Sequence, residues 1–305
     1  MESGIHMTNV FARTLIVAGL LQMCSLQASA EVPVYQASML ATFDTFDARQ
    51  GIAVDDRYFY AVNNTRITKH DKQTGKPLLQ WDGGPEDGGG LLIHLDSATV
   101  HDGKLYAAHS NYPFWPMTSS VEIWDTATME HIGSHSFPAN PGSFTWIDYH
   151  DGFWWGAFGN YDKVQDGQDH PYGTTAATTL VKMDTNFVVL QQWLFPSALQ
   201  ERFTPMSNSG GSWGPDGYLY ITGHDHPEVH VVQVPAHGSE VQWLATVQIP
   251  QIEGQGIAWD RSSDQLVLWG ILKAGRKAFS FSMPVMDRVA QVRKAVIRSS
   301  DFINQ

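Results

Sequence analysis

The stretch "SATVHDGKLYAAHS" at 97–110 reads as a hairpin. A short apolar run stops at Asp102-Gly103, and an aromatic run restarts after it. Asp and Gly both tolerate positive φ, which a tight turn between antiparallel strands requires. Four other segments share this grammar: "GIAVDDRYFYAVNN" (51–64), "WIDYHDGFWWGAFG" (146–159), "GSWGPDGYLYITGH" (211–224) and "GIAWDRSSDQLVLWG" (256–270). Asp-Gly recurs at 151–152 and 216–217, which predicts the same tight turn there.

A variable loop and two further strands follow the hairpins, as in "RITKHDKQTGKPLLQW" (66–81), "SVEIWDTATMEHIGSHSF" (120–137) and "TLVKMDTNFVVLQQWLF" (179–195). Repeats of four antiparallel strands, starting at 51, 97, 146, 211 and 256, predict an all-β fold, a β-propeller of five four-stranded blades over 31–284. A single large β-sandwich and a ring of six or seven blades are the alternatives. "VYQASMLATFDTF" (34–46) reads as one lone strand, and the last blade, ending in "AFSFSMP" (278–284), is a strand short. The N-terminal strand is therefore expected to close the last blade and remove an exposed edge. Val285, Val289, Val292 and Val296 share one helical face, so a helical tail is expected over 285–305.

"GKLYAAHS…SSVEIWDTATMEHIG" (103–133), with Trp124-Asp125 closing the third strand, resembles the blades of the secreted quinoprotein-like and WD-type propeller superfamily. The resemblance covers most of the chain at the level of architecture. Five-bladed secreted relatives include the plant-type glutaminyl cyclotransferases; none of that family's motifs is placed here, so no residue role is carried over. The resemblance implies a fold, and a fold hosts many functions.

Arg13, the apolar run "TLIVAGLLQM" (14–23) and Ala28-Ser29-Ala30 have the order of a secretory signal peptide, giving an expected leader at 1–30 and a periplasmic or secreted protein. The apolar run is shorter than the roughly 20 residues needed to cross a bilayer. Cys24 lies within the leader and is the only cysteine, so the mature chain has no thiolate ligand and no cysteine nucleophile. A net charge of -12 without a basic stripe argues against nucleic acid as a partner. No nucleotide-binding signature is present, so no nucleotide cofactor is expected. A closed ring has little need to oligomerise, and a monomer is expected.

In a propeller, the loops leading into the inner strands and those joining second to third strands converge on one end of the channel. That rule gathers Arg49 and Gln50, His94 and Asp96, Ser209, Glu253 and Gln255 with Asn64, His109, Trp115, Tyr161, His224 and Lys273. "GHDHPEVH" (223–230) is the second-to-third strand loop of the fourth repeat, and His109 holds the matching place in the second. His94, His109 and His224 are thus expected to converge as ligands of a divalent metal, zinc or calcium, with Glu253 as a fourth ligand or general base. Gln50, Asn64 and Gln255 would orient a small-molecule or saccharide ligand, and Trp115 and Tyr161 would wall it. The long loop 158–178 reads as a lid over the mouth, its aspartates being also of the type that calcium takes. Trp154 and Trp155 are adjacent on one strand, so they should pack on opposite faces of a blade. Two function classes follow: a metal-assisted hydrolase or lyase, and a non-catalytic propeller that binds a ligand or protein.

Overall fold

The computed structural model describes Met1 and residues 32–85, 90, 92–138, 141–165, 167–171 and 173–286. The expected leader and the expected helical tail lie outside these residues, apart from Met1, Val285 and Met286.

Two short strands come first, β1 (Val34–Gln36) and β2 (Ser38–Asp44). The first sheet holds β3–β6 (Gly51–Val54, Tyr58–Val62, Arg66–Asp71, Pro77–Asp82), and the second holds β7–β10 (Leu95–His101, Lys104–Ser110, Ser119–Asp125, His131–Ser136). The third holds β11–β14 (Ser143–His150, Phe153–Gly159, Thr179–Met183, Val189–Leu194). After the short helix α1 (Ser197–Phe203) come β15–β18 (Gly210–Trp213, Leu219–Thr222, Glu228–Gln233, Gln242–Gln248) in the fourth sheet. The fifth holds β19–β21 (Ala258–Asp260, Val267–Leu272, Lys277–Ser282). The inner strands β3, β7, β11, β15 and β19 each pack on the next, and β19 packs back on β3. The fold is a five-bladed β-propeller.

Ring closure differs in detail from the expectation of one N-terminal strand. β2 pairs antiparallel with β21 and completes blade five. β1 pairs parallel with β18 as a fifth strand on blade four. The chain thus changes blades at Ala37, whose N–H donates to Gln248 O at 3.3 Å. Both edges are covered by the same segment.

Burial falls from hub to rim. β3 is buried throughout, whereas β6, β10 and β14 are largely exposed. Small residues permit the tight hub. A Cβ on Gly51 would lie 2.8 Å from the Ser97 Cα, and one on Gly256 would lie 2.7 Å from the Gly51 Cα. Aromatic side chains fill the wedges between blades. Trp154 packs on Tyr106 of blade two at 4.4 Å, and Trp155 on Trp213 of blade four at 4.8 Å, on opposite faces as strand alternation requires. Phe43 of β2 and Trp269 of blade five both stack on Phe59 of blade one, at 5.4 and 5.1 Å.

The turns follow the sequence in two cases and depart from it in a third. Asp102-Gly103 and Asp151-Gly152 have positive φ at both residues. Of the 216–217 pair only Gly217 does, because this loop spans five residues and Asp216 serves as a side-chain acceptor for Tyr218 N–H and Tyr220 O–H. Asp71 and Asp125 end the third strands of blades one and two, Asp184 follows that of blade three, and each accepts backbone N–H groups from the turn it opens.

At the far end of the hub, Asp148 of blade three is 1% exposed. Its carboxylate accepts from Thr99 Oγ1 of blade two (3.0 Å), Trp213 N–H (2.7 Å) and Ser212 Oγ (3.2 Å) of blade four, and Arg261 Nη2 of blade five (2.6 Å). Lys72 Nζ of blade one donates to Asp260 of blade five at 3.0 Å. Together these bonds link all five blades.

Candidate functional site

The end of the hub opposite Asp148 opens into a cavity of about 670 Å³. Every blade contributes to its lining: Arg49, Gln50 and Asn64 from blade one, His94, Asp96, Tyr112 and Phe114 from blade two, and Tyr161 and Lys163 from blade three. Met206, Ser209, His224 and Asp225 come from the loops of blade four, and Gln255 and Lys273 from those of blade five.

Local hydrogen bonds set these side chains. The Leu95 N–H donates to Asn64 O at 2.8 Å and the Ser110 N–H to His94 O at 3.1 Å, which ties the His94–Asp96 segment to its neighbours. Gln255 adopts φ +67°, a left-handed conformation uncommon for a side chain of this size. Three bonds hold it there: its N–H donates to Gly223 O (3.0 Å), its Nε2 to His224 O (3.3 Å), and Thr222 Oγ1 donates to Gln255 O. Backbone strain of this kind collects at functional sites. The Gly256 N–H donates to Gln50 O at 2.9 Å, joining blades five and one beneath the cavity.

The electrostatics centre on Asp96, which is 4% exposed. Burial pushes its carboxyl well above the usual carboxylate range, against the opposing pull of Lys273. Burial also lowers Lys273, an effect that Arg49 reinforces and Asp96 resists. His94 lies with Nε2 3.6 Å from the Asp96 carboxylate. Burial, helped by the charges of His109, Lys273 and His224, pushes His94 down to about 3, so its ring is neutral near pH 7. His224 is lowered by burial too, while its bond to Asp225 pulls the other way. That bond runs from Nδ1 to Asp225 Oδ1, which leaves Nε2 as the basic nitrogen. Rings continue the wall: His94 lies 4.9 Å from Tyr112, and Tyr112 lies 5.2 Å from Tyr161.

Of the residues singled out from sequence, Gln50, Asn64, His94, Tyr161, His224 and Gln255 line one cavity. Three do not. His109 is held behind it: its Nε2 accepts from the Ile93 N–H at 3.3 Å and its Nδ1 bonds Ser120 Oγ at 2.9 Å. Both ring nitrogens are thereby engaged, and burial pushes the ring down to about 4. Trp115 is 45% exposed and sits outside the lining, to which the 112–116 turn contributes Tyr112 and Phe114. Glu253 accepts from the Ala274 N–H at 3.0 Å and adds its charge to the field at Lys273. Among the described residues no group of three or more His, Cys, Asp or Glu side chains is arranged to hold a metal ion. In the 158–178 loop, Asp162 accepts from the Thr175 N–H at 3.2 Å, while Asp166 and Tyr172 lie outside the description.

Sequence reasoning placed Asp96, Arg49 and Lys273 at the mouth without giving them a role. The signal of Asp96 and Lys273 is a perturbed proton affinity that only burial creates. Trp115 was singled out from "NYPFWP" (111–116), whereas Tyr112 of the same stretch lines the cavity.

No family model matches the chain, and no curated protein matches it. Solved structures do resemble it. A luciferin-regenerating enzyme aligns at 10% identity and TM-score 0.46, over 80% of this chain and 94% of that one. The PQQ-bound aldose sugar dehydrogenase of Streptomyces coelicolor aligns at 12% identity and TM-score 0.46, over 81% and 98%. The virginiamycin B lyase of Staphylococcus aureus aligns at 11% identity and TM-score 0.42, over 80% and 74%. At these identities the likeness is one of propeller architecture. Among the described residues no helix is long and apolar enough to cross a membrane.

Proposed function

We propose that the cavity is the active site of a lyase or hydrolase that acts on a small molecule by general acid–base catalysis. The observation that carries this reading is Asp96, a buried carboxyl raised well above its usual range beside Lys273, in a cavity fed by all blades. Asp96 is the general acid. It holds its proton at a pH where an exposed aspartate has lost it. His224 is the general base, its tautomer set by Asp225. In an elimination, His224 Nε2 takes the proton from substrate carbon. The bond to the leaving group breaks with its electron pair, and Asp96 gives that group its proton. In a hydrolysis, His224 takes the proton from water as the oxygen bonds to the substrate, and Asp96 again protonates the leaving group. Gln50 and Gln255 orient the substrate. The metal expectation enters only as a subsidiary proposal. His94 and His224 supply two nitrogens, and a third from His109 would require breaking its bonds to Ser120 and Ile93. In the same proposal the protein works in the periplasm or outside the cell, on the strength of the leader-like sequence at 1–30.

The test is untagged protein incubated with a small-metabolite extract and followed by mass spectrometry. Wild type should convert at least one compound, and Asp96→Asn and His224→Ala should each slow that conversion by about 10²–10⁴-fold while remaining folded. Retained binding with no conversion by any form would favour the non-catalytic propeller. Zinc and calcium contents of the same samples test the metal proposal.

A further inference from the structure

The cavity is polarised across the ring. Two of its cations, Arg49 and Lys273, come from the adjacent blades one and five, and the charge of Arg49 lowers the proton affinity of Lys273. Blades two and three supply rings, with Tyr112 tilted against both His94 and Tyr161 at 4.9 and 5.2 Å and Phe114 57% exposed beside them, and blade three adds only the exposed Lys163 as a cation. Asp96 and His224 line the same cavity. The lining carries three cations, with exposed Lys163 at the rim, against two carboxylates, in a chain whose net charge is -12. Burial holds one of those carboxylates, Asp96, towards its neutral form. The cationic side continues outward. Arg66 and Arg276 lie over the exposed Phe46 ring at 4.9 and 4.6 Å, and Arg276 donates to Phe46 O at 2.7 Å.

We infer that the substrate is a small carboxylate with a ring at its other end, its anionic group held by Arg49 and Lys273 and its ring laid against Tyr112 and Phe114. The inference rests on the reading of this cavity as the active site. The physical reasons are separate for the two ends. An anion entering a partly desolvated site gains far more from a fixed guanidinium and ammonium than it would in water. A planar or cyclic body gains contact area on the tyrosine and phenylalanine rings without needing a charge. The bound length then places the carbon between the two ends beside Asp96 and His224, where proton transfer is required. A phosphate dianion would serve the cationic side equally, and the probes below separate the two.

Binding is measured by isothermal titration at low salt on the full chain, with phenylacetate, phenylacetamide, acetate and phenyl phosphate as probes. Phenylacetate should bind at least about tenfold tighter than the amide or acetate, and tighter than phenyl phosphate, with affinity falling as salt rises. Lys273→Gln and Arg49→Gln should each weaken phenylacetate by about fivefold or more without weakening phenylacetamide. Phe114→Ala, at an exposed position, should weaken phenylacetate but not acetate. Equal binding of acid and amide, equal binding of acetate and phenylacetate, preference for phenyl phosphate, or no saturation by about 10 mM phenylacetate would overturn the inference. Asp96→Asn should slow turnover by about 10²–10⁴-fold yet keep phenylacetate binding. The acid–base reading and the carboxylate reading therefore fail on different results.

Discussion

Asp148→Asn tests the ring most severely among single substitutions, because one carboxylate receives bonds from three other blades. The substitution keeps size and one carbonyl oxygen. It removes the charge and turns an amide NH2 toward donors, either Trp213 N–H and Arg261 or Thr99 Oγ1. A charge-assisted hydrogen bond contributes about 1.5–3 kcal/mol, and an orphaned buried donor costs about 1–3 kcal/mol. The Arg261 side chain is 42% exposed and can turn to water, so its share is discounted. The net expectation is about 3 kcal/mol, a large part of the roughly 5–15 kcal/mol that holds a domain folded. For a domain of this size that is about 6–12 °C in Tm.

The assay is denaturant unfolding followed by far-ultraviolet circular dichroism, with a calorimetric scan as the second probe. Asp55→Asn is the matched control. Asp55 accepts from the Arg57 and Tyr58 N–H groups and Tyr60 O–H, all within blade one. Its loss should cost about 1 kcal/mol. An Asp148→Asn variant within about 0.5 kcal/mol of wild type, or no worse than the control, would refute the reasoning that this carboxylate spans blades.

Other consequences are equally open to measurement. Removing residues up to 37 deletes β1 and should lower Tm modestly, whereas removing residues up to 44 also opens blade five and should give aggregates on gel filtration. Gly256→Ala puts a methyl 2.7 Å from the Gly51 Cα and should cost about 2–4 kcal/mol in urea unfolding, with soluble wild-type-like stability as the contrary result. The rate–pH profile of any substrate found should be bell-shaped. Burial lowers His224, so the acid limb, where the base becomes protonated, should lie below the ordinary histidine value. Burial raises Asp96, so the alkaline limb, where the acid loses its proton, should lie above the ordinary aspartate value. His109→Gln should leave metal content unchanged and loosen the 93–96 segment, read as faster amide exchange at Ile93.

The blades were legible because the period-two alternation and Asp-Gly turns are local, and local chemistry sets a four-stranded sheet. Trp154 and Trp155 were assigned to opposite wedges on the same ground. Closure was only half legible: "VYQASMLATFDTF" (34–46) has strand composition throughout, and nothing in it marks Ala37 as the point where the chain passes from blade four to blade five. At the site, symmetry put His94, His224, Gln50 and Gln255 at the mouth. It could not rank them, since the repeat position of His109 matches that of His224 while its nitrogens are engaged behind the cavity. Helix α1, inserted between blades three and four, lies outside any repeat and was not anticipated; Leu199 and Phe203 bury its inner face.

Asp96 of blade two and Lys273 of blade five are remote in sequence, yet the charge of each acts on the other in one cavity. Carbon-13 carboxyl NMR, with Asp96→Asn supplying the assignment, reads this directly. The Asp96 signal should titrate well above the ordinary aspartate range, and in Lys273→Met it should titrate higher still, because the cation that opposes the upward shift is gone. An Asp96 that titrates as an exposed aspartate, or that does not respond to the loss of Lys273, would contradict both the circular arrangement of the blades and the site built at their centre.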